Sequence, residues 1–146
     1  MATAVNEVSD RVVELRPPTG ESEKLTINLG VVDLGQIDLL VSEGFYSNRT
    51  DLIRTAIRNQ LSTHRDAISQ SIVRRSLTVG LKHYGRDDLE RIRATGEMLQ
   101  IDVVGLLRID RDVTPELALA TIQTISVLGS FQASPAVRAV LADRQR

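Results

Sequence analysis

Hydrophobic and polar positions change their period twice along the first half of the chain. Between Lys24 and Leu29 they alternate, with Leu25, Ile27 and Leu29 on one side and Lys24, Thr26 and Asn28 on the other. A period of two predicts a half-buried strand. Six residues make one strand, and a lone strand is not stable in water, so it has to pair. The nearest candidate is its own copy in a second chain. From Val31 to Glu43 the spacing becomes helical, with Leu34, Ile37, Leu40 and Val41 on one face. Gly44 follows as a suitable residue to end that helix. Asn48, with Asp51 three residues on, predicts a capping-box-like start to a second helix. Leu52, Ile53, Ala56, Ile57 and Leu61 form its apolar face, and His64 sits near its end.

The second half repeats itself. Glycines align in Leu77-Thr78-Val79-Gly80-Leu81, Asp102-Val103-Val104-Gly105-Leu106 and Ser126-Val127-Leu128-Gly129-Ser130, at spacings of 105 − 80 = 25 and 129 − 105 = 24 residues. A helix start follows each run, at Asp87-Asp88-Leu89, Thr114-Pro115-Glu116-Leu117 and Ser134-Pro135-Ala136-Val137. The last two set a capping hydroxyl before a proline at the first helical position. The pattern predicts three strand–helix units in register, a small solenoid-like β-α array with a parallel sheet. Three units are the minimum for a stacked core, so its ends are expected to be covered by a partner or by the first domain. Parity puts Ile101, Val103, Gly105, Leu107 and Ile109 on one face with Ile125, Val127, Gly129, Phe131 and Ala133. The glycine column on that face is where helices are expected to approach closely. The other face is half polar, exposed or meeting a second subunit. Near the strand ends, His83, Arg108 and Gln132 are expected to form a polar row.

Composition narrows the chemistry. There is no cysteine, which removes disulfides, thiolate metal sites and thiol nucleophiles together. The first 22 residues contain Pro17-Pro18-Thr19-Gly20 and no apolar run suited to a signal peptide, and read as a flexible arm. No segment is long and apolar enough to span a bilayer, so a cytoplasmic protein is expected. Net charge is −1: residues 1–22 contribute −2, residues 23–65 contribute 0 and the remainder +1. Bulk electrostatics therefore give no argument for nucleic acid. Any DNA contact must come from the placement of a few groups.

Residues 23–65 resemble the ribbon-helix-helix family of bacterial DNA-binding proteins, of the Arc, MetJ and CopG type. Lys24-Leu25-Thr26-Ile27-Asn28-Leu29 is similar to its ribbon. Glu43-Gly44-Phe45-Tyr46-Ser47-Asn48-Arg49-Thr50-Asp51-Leu52-Ile53-Arg54 is similar to its turn and second-helix start, the more specific part. The resemblance implies an α+β ribbon-helix-helix domain over 23–65, built as an intertwined homodimer. Its antiparallel ribbon would enter the DNA major groove. Lys24, Thr26 and Asn28 would then touch base edges, while Asn48, Arg49 and Thr50 at the start of the second helix would lie at a backbone phosphate. Leu25, Ile27, Leu29, Leu34, Ile37, Leu40, Val41, Leu52, Ile53 and Ile57 would form the dimer core. Residues 66–146 are expected to serve as an oligomerisation or effector domain, taking the assembly beyond a dimer.

The leading expectation is thus a sequence-specific transcriptional regulator whose partner is double-stranded DNA. Two alternatives are an antitoxin that regulates its own operon beside a toxin partner, and a self-assembling scaffold or partition protein anchored to DNA by the motif. Antitoxins of this type usually carry a short, disorder-prone tail, whereas this tail is long and apolar. A nickel-responsive relative uses a histidine- and cysteine-bearing sensor. This chain has only His64 and His83 and a different element order, so neither metal nor cofactor is expected. Ser62, His64 and Asp66 alternate along a helix and do not face one another, Asp110 and Asp112 read as a solvated loop, and no catalytic constellation is expected.

Overall fold

The computed structural model describes residues 22–146, so the expected arm over 1–22 lies outside the described residues except for Ser22. The chain divides into two compact units, the first ending at Ile68 and the second beginning at Ser69.

The first unit holds an extended segment up to Gly30, then helix α1 (Val31–Ser42) and helix α2 (Arg49–Thr63). The start of helix α3 (Arg65–Arg74), an element that the sequence pattern does not predict, also lies here. Gly44 ends the α1 turn at a φ of +86°, where glycine alone carries no side-chain penalty. The Gly44 N–H donates to the Val41 carbonyl at 3.1 Å and the Phe45 N–H to the Leu40 carbonyl at 3.0 Å, the double bond of a Schellman stop. Asn48 caps α2, its Oδ1 accepting from the Asp51 N–H at 2.8 Å. The Asp51 carboxylate reaches back to the Ser47 N–H at 3.0 Å, one residue earlier than a capping box requires. Lys24–Leu29 has no ladder partner among the described residues.

The second unit is a three-stranded parallel sheet in the order β1 (Thr78–Tyr84), β2 (Leu99–Ile109), β3 (Ile122–Gln132). Helices α4 (Arg86–Thr95), α5 (Pro115–Thr121) and α6 (Pro135–Leu141) follow the strands, and a short 3-10 turn, Ala142–Arg144, ends them. The three strand–helix repeats are in register, with Gly80 beside Gly105 and Gly105 beside Gly129. The expected hydroxyl caps are present: the Leu117 N–H donates to Thr114 Oγ1 and the Val137 N–H to Ser134 Oγ, each at 3.2 Å. The helix expected from Asp87 begins one residue earlier, at Arg86, because the Asp88 carboxylate accepts from the Gly85 N–H at 2.8 Å.

One packed cluster joins Leu89, Leu117, Ala118, Val137 and Leu141 of the helices to Ile101, Val103, Leu107 and Ile109 of β2 and Ile125 of β3. Parity therefore selects the core face as expected. The glycine column has a different cause from the expected approach of helices. A Cβ on Gly105 would stand 2.1 Å from the Gly80 carbonyl oxygen, and one on Gly129 the same distance from the Gly105 oxygen. The φ angles of +139° and +131° turn each peptide toward its neighbouring strand. It is strand backbone, not a helix, that fills the space.

Candidate nucleic-acid interface

Lys24, Thr26 and Asn28 are exposed, as base-reading side chains must be before DNA arrives. Their alternating neighbours are exposed too: Leu25 by 79%, Ile27 by 55% and Leu29 by 43%. An amphipathic strand whose apolar side faces water lacks its packing partner. The same holds for the helices behind it. Neither α1 nor α2 has a buried residue. Leu34, Ile37, Val41, Leu52 and Ile53 are half-buried, while Leu40 and Ile57 are exposed. The residues expected in a dimer core thus share one property: none of them is buried among the described residues.

At the start of α2 the chemistry is more committed than the sequence shows. The Asn48 side chain is used as the cap. Arg49 makes a two-pronged pair with Asp38 of α1, Nε to Oδ1 at 2.7 Å and a terminal nitrogen to Oδ2 at 2.8 Å. This hydrogen-bonded guanidinium holds the Asp38 carboxyl below its ordinary range, and the carboxylate in turn raises Arg49. The backbone N–H groups of Arg49 and Thr50 occupy the first helical positions, which have no carbonyl four residues back inside the helix. The local electrostatics are mixed, because Asp38 and Asp51 accompany Arg49. Sequence reasoning misses the Asp38–Arg49 pair. Its signal is that neither residue has an opposite charge three or four positions away on its own helix, so each is left to look across the turn.

In the second unit the polar row forms as expected. His83 lies beside Arg108, and Arg108 beside Gln132. Arg108 Nε donates to Gln132 Oε1 at 3.1 Å, and His83 Nε2 lies 2.7 Å from Asp110 Oδ1. An open cleft of about 620 Å³ at these strand ends is lined by Arg108, Asp110, Arg111, Gln132 and Ser134. Burial of the Tyr84 ring edge raises its hydroxyl pKa, helped by the nearby Asp88 carboxylate. His64 meets Gln60 at 3.2 Å, a helix-end contact. Among the described residues no group of three or more His, Asp or Glu is placed to hold a metal ion. No described helix is long and apolar enough to cross a membrane.

No curated protein and no solved structure matches the chain. The sequence model of the Ribbon-Helix-Helix transcriptional regulator family matches residues 20–138. That span runs through the extended segment, α1 and α2 of the first unit and on to α6 of the second. The strand–helix repeats are therefore part of the family pattern, although the resemblance legible in the sequence stops at residue 65. With the stop at Gly44, the cap at Asn48 and this match together, the chain belongs to the Ribbon-Helix-Helix transcriptional regulator family.

Proposed function

We propose that the protein is a sequence-specific DNA-binding regulator that reads the major groove with a two-stranded ribbon contributed by two copies. Residues 23–65 form the dimerising and DNA-binding domain, and Lys24, Thr26 and Asn28 carry the readout. Lys24 can donate to guanine O6 and N7, Asn28 can pair with adenine N6 and N7, and Thr26 can bond a base or meet a thymine methyl. The observation that supports this best is the exposure of Leu25, Ile27 and Leu29 ahead of two helices with no buried residue. Pairing with a second copy buries that side and leaves the three polar side chains facing outward. Asn48, Arg49 and Thr50 position the dimer on a phosphate, mainly through the Arg49 and Thr50 N–H groups, because the Asn48 and Arg49 side chains already have partners.

Residues 66–146, three strand–helix repeats arranged as a short solenoid-like layer, join further copies. Their packed core is unlike the loose tail of an antitoxin and favours the regulator over that alternative. The test is duplex discrimination by the full chain. Lys24→Ala with Asn28→Ala is expected to reduce the preference for a selected operator over random duplex by one to several orders of magnitude, about 1–3 kcal/mol for each base-reading side chain removed. The mass of the protein should not change. An unaltered preference would remove the base-reading assignment.

A further inference from the structure

One kind of joint connects the three repeats, and the chain makes it twice. Each strand lies parallel beside the next, with Gly80 beside Gly105 and Gly105 beside Gly129. At both joints the glycine of the later strand leaves room for the carbonyl of the earlier one, which stands 2.1 Å from where a Cβ would be. Gly80 opens the column with the same kind of backbone, at a φ of +123°, yet a Cβ there would meet no atom within 4 Å. The column thus begins at a glycine with room for a carbonyl that the described residues do not supply. By the same geometry the Gly129 carbonyl turns toward the outer edge of β3, where no described strand stands beside it.

The two ends of the array match in register as well. β1 starts beside Val103, which is level with Val127 of β3. On the outer edge of β3, Gln145 lies beside Ile125, and the Arg146 N–H donates to the Ile125 carbonyl at 2.8 Å. A strand placed along β3 as β1 lies along β2 would begin at Val127, just past those two residues. Each end also has a groove beside the margin of the core. At the first end an open cleft of about 400 Å³ is lined by Tyr84, Asp88, Ile92 and Thr95, and by no residue of β2 or α5. At the last end a groove of about 90 Å³ is lined by Val127, Gly129 and Phe131. Tyr84, Ile92, Val127 and Phe131 are all only partly buried against the core.

We propose that β1 of one copy docks along the outer edge of β3 of a second, parallel and with Gly80 beside Gly129, so that the sheet continues from chain to chain. The joint itself selects the occupant. What fits the β1 end is the far end of a strand–helix repeat with a glycine at this level, and a second copy presents one at β3. Repeat arrays are held by nearest-neighbour contacts of this kind, and a strand added to an open edge gains the main-chain bonds of the ladder. The contact is head-to-tail, so it lines copies up in a row. It is made by strand edges and repeat ends and asks nothing of the sheet face away from the helices. This inference rests on the reading that residues 66–146 join copies, and it names the two edges that do so.

The test uses analytical ultracentrifugation of the full-length chain with Ile27→Asp, which removes ribbon pairing and leaves only association through residues 66–146. Its mass is expected to rise above one chain with concentration. Gly80→Ala has room within one chain but would set a methyl against the incoming carbonyl, as at Gly105. Added to Ile27→Asp, it is expected to weaken self-association by about tenfold or more, the equivalent of about 1.4 kcal/mol. Its β3 edge stays intact, so a labelled Gly80→Ala chain should still join Ile27→Asp chains that keep Gly80. A Gly80→Ala chain that joins neither itself nor those chains means a symmetric contact and overturns the inference. Should Gly80→Ala unfold the unit, Thr95→Glu serves instead, at an exposed position lining the first cleft, with the same loss expected. Association that survives both variants overturns the head-to-tail joint and leaves the reading that residues 66–146 join copies. A single chain at every concentration with Ile27→Asp alone overturns both.

Discussion

The two units use apolar residues in opposite ways. Every buried hydrophobic side chain among the described residues lies between Leu89 and Leu141, in the second unit. The first unit also has apolar residues at helical spacing in α1 and α2 and buries none of them. A strand and two helices are too few to enclose a core from one chain, since small units bury too little of their surface. Three strand–helix repeats are enough. The same kind of apolar spacing therefore has two outcomes: a core completed within the chain after residue 77, and apolar side chains before residue 64 of which none is buried among the described residues. What separates them is not hydrophobicity but the number of elements available to close around it.

The sharpest way to break the second unit alone is through its glycine column. Gly105→Ala places a methyl 2.1 Å from the Gly80 carbonyl in a backbone region that L-residues avoid. Strain and overpacking together should cost about 4 kcal/mol. Gly80→Ala shares the positive φ but meets no atom within 4 Å, so only the strain remains, about 1–3 kcal/mol. Thermal unfolding of the two variants checks the order. Equal destabilisation would mean that backbone conformation alone, and not the approach of strands, requires glycine there.

The next effect separates the units by concentration. If the first unit is completed by a second copy, its stability follows mass action. Each tenfold dilution should then lower it by about 1.4 kcal/mol. The core from Leu89 to Leu141 lies within one chain and should melt at a temperature that depends on dilution only as far as residues 66–146 join copies. Hydrogen exchange of α2 amides against β2 amides over a large dilution series reads both at once. Equal behaviour of the two sets would end the contrast.

Much of this is legible in the residues because the local rules agree with one another. Gly44 stops α1, Asn48 caps α2, and Thr114 and Ser134 cap the last two helices as their side-chain chemistry predicts. The register of Gly80, Gly105 and Gly129 follows from repeat spacing alone. Three things are not legible. The 65–74 helix has only Ile68 and Ile72 four apart, too short a pattern to set a period. The reason for the glycines lies in peptide orientation, which composition does not encode. At the interface, the Asp38–Arg49 pair joins residues 11 apart across a turn, beyond the reach of helix-local pairing rules.

A smaller effect, of opposite sign, comes from β3. The Thr124 hydroxyl is buried without a hydrogen-bond partner, next to the register shift where Leu99 faces Ile122 and Gln100 faces Thr124. A buried hydroxyl with no partner carries an uncompensated desolvation cost. Thr124→Val keeps the shape and should stabilise the second unit by about 1 kcal/mol, raising its melting temperature and leaving the first unit unchanged. Destabilisation would show that the hydroxyl has a role in the assembled protein.

The smallest expected effect bears on how the first unit holds its shape. Asp38 and Arg49 are about half exposed, at 48% and 46% of their side chains, so the pair orients α2 against α1 more than it stabilises either. The Asp38 carboxyl titrates below its ordinary value of 3.8. Its contribution is therefore present at neutral pH and is lost only as pH falls through that lowered value. Asp38→Asn should remove this acid-dependent part from the unfolding of the first unit, with little change in stability at neutral pH. It should also release the guanidinium at the start of α2. If phosphate takes the place of the carboxylate, the dependence of DNA binding on salt should steepen by up to about one counterion for each Arg49 released. A salt slope unchanged by Asp38→Asn would mean that Arg49 belongs to the turn between the helices, and that only backbone N–H groups meet the phosphate.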